Sequence, residues 1–207
     1  MPIFQQIITK ASEDRLEKLI SDRLKKGSNK EEIDARIWDL FGETWAVMFT
    51  DLSGFSRNVA KFGIIHFIQI IYESHRLLIP CIDNHDGILL KKEGDSMLII
   101  FRRAERAIDC AIQMQKVLEE YNNKIIEEEK VLLCIGIGYG LLLKIGDGDV
   151  FGGEVNAASK LGEDTAKAGE ILVTESMKDA LFKRKNLGFE KIEIVPPGAK
   201  AAYRLKY

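Results

Sequence analysis

Cysteine, histidine and proline are scarce in this chain: 207 residues include three cysteines, three histidines and four prolines. Cys81, Cys110 and Cys134 are odd in number, widely separated and contain no C-x-x-C pair. That excludes a disulfide framework and a structural zinc site, and it fits a reducing compartment. His66, His75 and His85 make no H-E-x-x-H arrangement, so the common zinc-hydrolase pattern is missing too. No apolar run approaches ~20 residues, and no membrane span is expected. Residues Met1 to Lys10 lack the charged region, apolar stretch and small-residue cleavage site of a signal peptide. Charge excess is absent as well. Thirty basic against 32 acidic residues leave a formal charge of −2, without the basic field that long nucleic acid or an anionic membrane requires. A cytoplasmic protein with neither nucleic acid nor membrane among its partners is expected.

What is present is a core. Hydrophobic residues make up 46% and charged residues 30%, the profile of a soluble globular chain, and the length suits one domain with a short appendage. No internal repeat or low-complexity segment occurs. Ser12 to Lys26 reads as an amphipathic helix, with Leu16, Leu19, Ile20 and Leu24 at helical spacing. Gly27-Ser28-Asn29 ends it and caps a second helix running to about Leu40. Residues 1–41 are therefore expected to form an N-terminal helical extension, packed on the domain of residues 42–207 or on a partner chain.

The remainder alternates in type. Trp45 to Thr50 is a nearly continuous apolar run, the mark of a buried strand. A helical pattern follows from about Asn58 to Asn84, interrupted by Gly63 and Pro80. Then come strands at Gly87 to Lys92 and Met97 to Phe101, joined by the turn Glu93-Gly94-Asp95. A helix over Arg103 to Asn122 and a strand over Val131 to Tyr139 complete the order strand, helix, strand, strand, helix, strand. That is the ferredoxin-like βαββαβ arrangement of an α+β fold. C-terminal additions are expected: a hairpin strand at Leu141 to Ile145, a helix from Glu154 to Ala166, and strands near Ile171 to Val173, Phe189 to Ile194 and Ala202 to Leu205.

The arrangement has a chemical consequence. Its first and third strands are neighbours, so Asp51 at the end of the first should approach Asp95 in the turn before the third. Two such carboxylates repel unless one is protonated or a cation joins them, and hard divalent cations suit oxygen ligands. Alone, an Asp at a strand end is more often a turn former or helix cap.

Longer motifs narrow the choice. The segment Phe49-Thr50-Asp51-Leu52-Ser53-Gly54-Phe55-Ser56 resembles the first metal motif of class III adenylate and guanylate cyclases. Lys91-Lys92-Glu93-Gly94-Asp95 is similar to the second, and Asp149-Val150-Phe151-Gly152-Gly153-Glu154-Val155-Asn156-Ala157-Ala158-Ser159-Lys160 to the third. The likeness covers about Trp45 to Leu205, with the motifs in order. It implies the class III nucleotide cyclase fold and two Mg2+ or Mn2+ ions per active site, held by Asp51, the Leu52 carbonyl and Asp95. It also implies a turn of Gly54, Phe55 and Ser56 whose backbone N–H groups hold the triphosphate, as suits a glycine-containing turn entering a helix. Asn156 would orient the ribose and Lys160 would stabilise the transition-state phosphate; four residues apart, they share one helix face.

The resemblance further places Lys91 and Asp149 at the base. Adenine accepts at N1 and donates from N6, guanine has the opposite polarity, and a Lys/Asp pair fits adenine with about 1–3 kcal/mol of discrimination. ATP is thus the expected substrate, cyclic AMP and pyrophosphate the products. Because the metal half-site and the base half-site belong to different chains in this family, a head-to-tail homodimer is implied. Two departures stand out. Lys160 replaces the usual arginine, losing the planar fork that grips two phosphate oxygens. Cys134 stands where many relatives carry a phosphate-binding arginine, for which Lys144, Lys200 and Arg204 are candidate substitutes. These departures keep a catalytically weak nucleotide-binding or dimerisation regulatory module open as an alternative, and the base pocket keeps a guanylate cyclase open. Other nucleotide motifs fail: Gly136-Ile137-Gly138-Tyr139-Gly140 is not G-x-G-x-x-G and lies in a strand, and no P-loop sequence occurs.

Overall fold

A computed structural model of the chain describes residues 3–54 and 60–207. Two helices, α1 (Ile3–Leu24) and α2 (Lys30–Phe41), open it. The Asn29 side chain accepts from the Glu32 amide at 3.3 Å, capping α2 as its sequence foretold. Leu19, Ile33, Ile37 and Phe41 bury together against Ile145 of the main sheet. Arg23 ties the two helices by a two-bonded ion pair to Asp34, 2.5 and 3.1 Å.

The main sheet is assembled from β1 (Gly42–Leu52), β2 (Ile88–Glu93), β3 (Ser96–Phe101), β4 (Leu133–Ile145), β5 (Asp149–Phe151), β6 (Ile171–Thr174), β7 (Gly188–Ile192) and β8 (Ala202–Lys206). Their order is β2-β3-β1-β4-β6-β8-β7, with β5 paired onto the far end of β4. The first four positions are those of the expected ferredoxin-like core; only the β4–β6 pair is parallel among these ladders. One face is covered by α3 (Ile64–Asn84) and α4 (Ala104–Asn122). Against them pack Ala46 and Met48 of β1, Ile99 and Phe101 of β3, and Ile135 and Ile137 of β4. The alternate residues Trp45, Val47, Leu98, Ile100 and Leu142 form a second core with Val150, Val155 and Ala158 on the opposite face. That is why the Trp45 to Thr50 run is apolar throughout: both faces of β1 are covered.

Some boundaries differ from expectation. The segment Leu141 to Ile145 is the continuation of β4, and its hairpin partner is the short β5, whose Gly- and Asp-rich approach hid it. The helix expected over Glu154 to Ala166 is α5 (Gly153–Ser159) followed by a π-helical turn over Lys160–Thr165. A further helix, α6 (Glu175–Ala180), is capped by the Thr174 hydroxyl. Gly63, at φ 85°, begins α3, and Pro80 lies within it without ending it. Burial of Leu78, Cys81 and Ile82 outweighs the single amide hydrogen bond that proline forfeits. Among the described residues no helix is long and apolar enough to cross a membrane.

Candidate active site

The β2–β3 turn lies at the carboxyl end of β1, while the β4–β5 arm leaves the sheet beside the amino end of β1 and packs on the same face, where Asp149 meets Lys91. Alternation along β1 sends Asp51 to the face away from α3 and α4, with Phe49 two residues before it. There it accepts a hydrogen bond from the Ser96 hydroxyl at 3.1 Å. Burial raises the Asp51 carboxyl to about 6, and the negative charge of Asp95 pushes in the same direction, followed by that of Glu163; the Ser96 bond opposes them. The expected approach of Asp51 and Asp95 is thus felt electrostatically. Their turn is made at Gly94, whose φ of 61° favours glycine.

The donors suit a hard cation. Asp51, Asp95 and the Leu52 carbonyl present oxygen atoms, and the burial and neighbouring charge that raise the Asp51 carboxyl are effects a bound cation would offset. Among the described residues no group of three or more His, Cys, Asp or Glu side chains forms a closed metal cage. An open carboxylate pair completed by ligand oxygens is the mode of Mg2+ at phosphate sites.

Beside this pair lies a cleft of about 590 Å³, counted with the solvent at its mouth. Lys91 and Asp149 cross it with an ion pair of 2.8 Å, each side chain 37% exposed. The other Asp149 oxygen accepts from the Val150 amide at 2.9 Å. Phe49, Leu98, Val150 and Val155 supply apolar walls. Lys91 reaches this cleft because of a β-bulge. Leu89 pairs with Ile99 but Lys91 with Leu98, so one extra residue is inserted between them. Leu98 faces the cleft side of the sheet and Met97 the helical side. An unbulged ladder would set Lys91 opposite Met97 and turn it toward α3 and α4.

Asn156 and Lys160 stand apart from the cleft. Both are exposed on α5 and the turn that follows. Lys160 pairs with Asp164 at 2.5 Å, a bond that raises the lysine's pKa. Gly54 lies in the turn after β1 at φ 90°, whereas Phe55 and Ser56 lie outside the described residues. Cys134, opposite Asp51 on β4, is buried, its thiol pushed up to about 11 by burial and by the charges of Asp51 and Glu170. Of the cations suggested in place of arginine there, Lys144 pairs with Asp147 at 3.1 Å and Arg204 with Glu170 and Glu190 at 2.8 and 3.1 Å; Lys200 is exposed. Two residues of the site escaped the sequence reading. Ser96 had no signal beyond following Asp95, and Glu163 enters the cleft through a π-helical turn that helical periodicity does not reveal.

Comparison with known proteins identifies the family and the fold. The family description "Adenylate and Guanylate cyclase catalytic domain" matches residues 42–203. The chain is 25% identical over 144 residues to "Putative adenylate cyclase 3" of Rhizobium meliloti (strain 1021), covering 70% of this chain and 24% of that protein. It is 28% identical over 131 residues to "Serine/threonine-protein kinase pkn2" of Myxococcus xanthus, covering 63% of this chain and 16% of that protein. The chain therefore spans at most about a quarter of the curated relatives it matches. The fold is similar to that of an adenylate/guanylate cyclase/hydrolase from Silicibacter pomeroyi, with a TM-score of 0.69, 23% identity, and 79% of this chain and 96% of that one covered. Motifs, sheet order and family match coincide, and the chain belongs to the class III adenylate and guanylate cyclase catalytic domains.

Proposed function

We propose that the chain is an adenylate cyclase, converting ATP to 3′,5′-cyclic AMP and pyrophosphate at sites shared between two copies. The observation that carries the choice of ATP is the Lys91–Asp149 ion pair across an apolar-walled cleft. Each partner would exchange its bond to the other for one to the base: Lys91 donates to adenine N1, and Asp149 accepts from the N6 amino group. Guanine would oppose Lys91 with a donor and Asp149 with an acceptor, leaving both partially buried groups unpaired. Asp51, the Leu52 carbonyl and Asp95 would hold two Mg2+ or Mn2+ ions, which when bound activate the attacking hydroxyl and neutralise the triphosphate.

In the reaction the ribose 3′ oxygen loses its proton and bonds to the α-phosphorus while the bond to pyrophosphate breaks. The chain supplies orientation and charge rather than a nucleophile. Asn156 would orient the ribose, and Lys160, once exchanged from Asp164, would face the phosphate in flight. Asn156 on α5 and Lys160 at the start of the π-helical turn are both exposed, which supports a head-to-tail homodimer in which they, with Lys91 and Asp149, serve the partner's metal site. Gly54, with Phe55 and Ser56, would hold the triphosphate by backbone N–H groups. Residues 42–207 would be the catalytic domain and 1–41 a helical extension, in a cytoplasmic setting.

A second reading has its own observation. Lys160 is engaged by Asp164 and lacks arginine's fork, which favours a nucleotide-binding regulatory module. Purified protein with Mn2+ and each of ATP, GTP, CTP and UTP decides between them. Cyclic AMP from ATP alone supports the proposal, cyclic GMP transfers the assignment to a guanylate cyclase, and tight ATP binding without product favours the module. Exchanging the polarity of the base pair, with Lys91→Glu and Asp149→Lys together, is expected to reduce ATP over GTP selectivity by about 10-fold or more. Unchanged selectivity would remove these residues from the base site.

A further inference from the structure

Gly136, Gly138 and Gly140 alternate along β4 and so line one face of it. They bind no nucleotide loop; α5 and the π-helical turn rest on them. A Cβ at Gly136 would stand 2.1 Å from the Ala158 carbonyl oxygen. At Gly138 it would meet the Glu154 carbonyl oxygen at 2.6 Å and the Glu154 Oε2 at 2.8 Å, and at Gly140 the Glu154 Cγ at 3.1 Å. The absent side chains of Gly138 and Gly140 thus open a slot, and the Glu154 side chain fills it.

What Glu154 does there follows from the sheet. The β4–β6 ladder ends with Ile137 opposite Val173, while β4 runs on to Ile145. Beyond that end the Tyr139 amide has no strand partner on the β6 side; it donates to Glu154 Oε2 at 3.1 Å. The same oxygen accepts from the Thr174 hydroxyl at 2.7 Å, and Thr174 is fully buried. Thr174 Oγ1 in turn accepts from the Met177 amide, capping α6. One carboxylate oxygen therefore joins α5 to β4, β6 and, through Thr174, α6.

We infer that Glu154 is a positioning residue: bonded to the Tyr139 amide and the Thr174 hydroxyl in the slot left by Gly138, it fixes the seating of α5 and hence the place of Asn156 two residues on. Hydrogen bonds to an ionised acceptor are about twice as strong as neutral ones, and a partly buried amide without an acceptor is costly. The catalytic consequence rests on the cyclase reading; the seating itself does not.

The test compares Glu154→Ala with Glu154→Gln, whose single amide oxygen can still accept both bonds. In Glu154→Ala, kcat is expected to fall about 100-fold, as for an ångström-scale misplacement, with KM for ATP within about 3-fold because Lys91 and Asp149 lie on other elements. Exchange of the Tyr139 amide with solvent should quicken by about 10-fold or more. Glu154→Gln is expected to recover both to within about 5-fold of the parent. Parent-like kcat or Tyr139 exchange in Glu154→Ala overturns the inference, as does a Gln variant no better than Ala. Should the Ala variant not fold, Glu154→Asp keeps the charge one methylene short of both donors. It is expected to behave like Ala, and parent values would overturn the inference equally. If the parent protein makes no cyclic nucleotide, the cyclase reading alone fails, and amide exchange still decides the seating.

Discussion

Replacing Gly136 by alanine adds one methyl group where the chain has no room for it. The Cβ would lie 2.1 Å from the Ala158 carbonyl oxygen, 2.3 Å from the Gly162 nitrogen and 2.9 Å from the Gly162 Cα. All three are backbone atoms, so no rotamer change relieves the contact. Ordinary separation is about 3.5 Å, so α5 and the π-helical turn must lift off β4 by about 1 Å. Overpacking of this kind costs about 1–3 kcal/mol. For a domain this size that lowers Tm by roughly 2–12 °C. The lifted segment carries Asn156, Lys160 and Glu163, and a 1 Å displacement is worth about 10²-fold in rate. Thermal unfolding and cyclic AMP production measured on the same preparation check both numbers. Gly27→Ala is the control. Gly27 has φ 83° and nothing within 4 Å of its added Cβ, so it should lose about 1 kcal/mol from backbone strain and no activity. A Gly136→Ala protein with parent Tm and parent kcat would show that α5 is not seated on β4 as described.

Three more outcomes are expected. Asp51→Asn should abolish metal-dependent turnover yet raise the Tm of the metal-free protein at pH 7.5 by a few degrees, because it removes a carboxylate held at about 6 in the fold. The gain is on the order of 1 kcal/mol after solvent screening; a lower Tm, or retained turnover, would contradict it. The pH dependence has a definite sign. A carboxyl raised above its ordinary 3.8 makes the metal-free fold more stable as pH falls through about 6 toward that value. Mg2+ should consequently raise Tm more at pH 7.5 than at pH 5, and equal shifts would count against Asp51 as a ligand. Lys160→Arg should raise kcat by about 10-fold, the worth of one more charge-assisted bond to the transition state; no change would mean that Lys160 does not touch the phosphate.

Much of this protein is local and therefore readable from its residues. Alternation and the two-sided apolar run of Trp45 to Thr50 identified β1 as a central strand, and Gly27-Ser28-Asn29 marked the helix boundary at which Asn29 does cap α2. Strand order in the four-stranded core followed from the sequence of element types, because a βαββαβ chain has few ways to bury its faces. What that order did not contain is register and close approach, which depend on contacts between distant segments. Lys91 faces Asp149, 58 residues away, only because a bulge in β2 reverses its side, and no periodicity announces a bulge. Glu163 reaches the cleft because the helix after Asn156 opens into a π-helical turn. The glycines of β4, legible as a pattern but without a use, acquired one when α5 came down on them. Sequence thus determined the elements of the βαββαβ core and the order in which its strands pair, since propensity and patterning act within a few residues. Tertiary structure decided which side chains share a space, because that rests on one-residue shifts and ångström gaps between segments far apart in the chain.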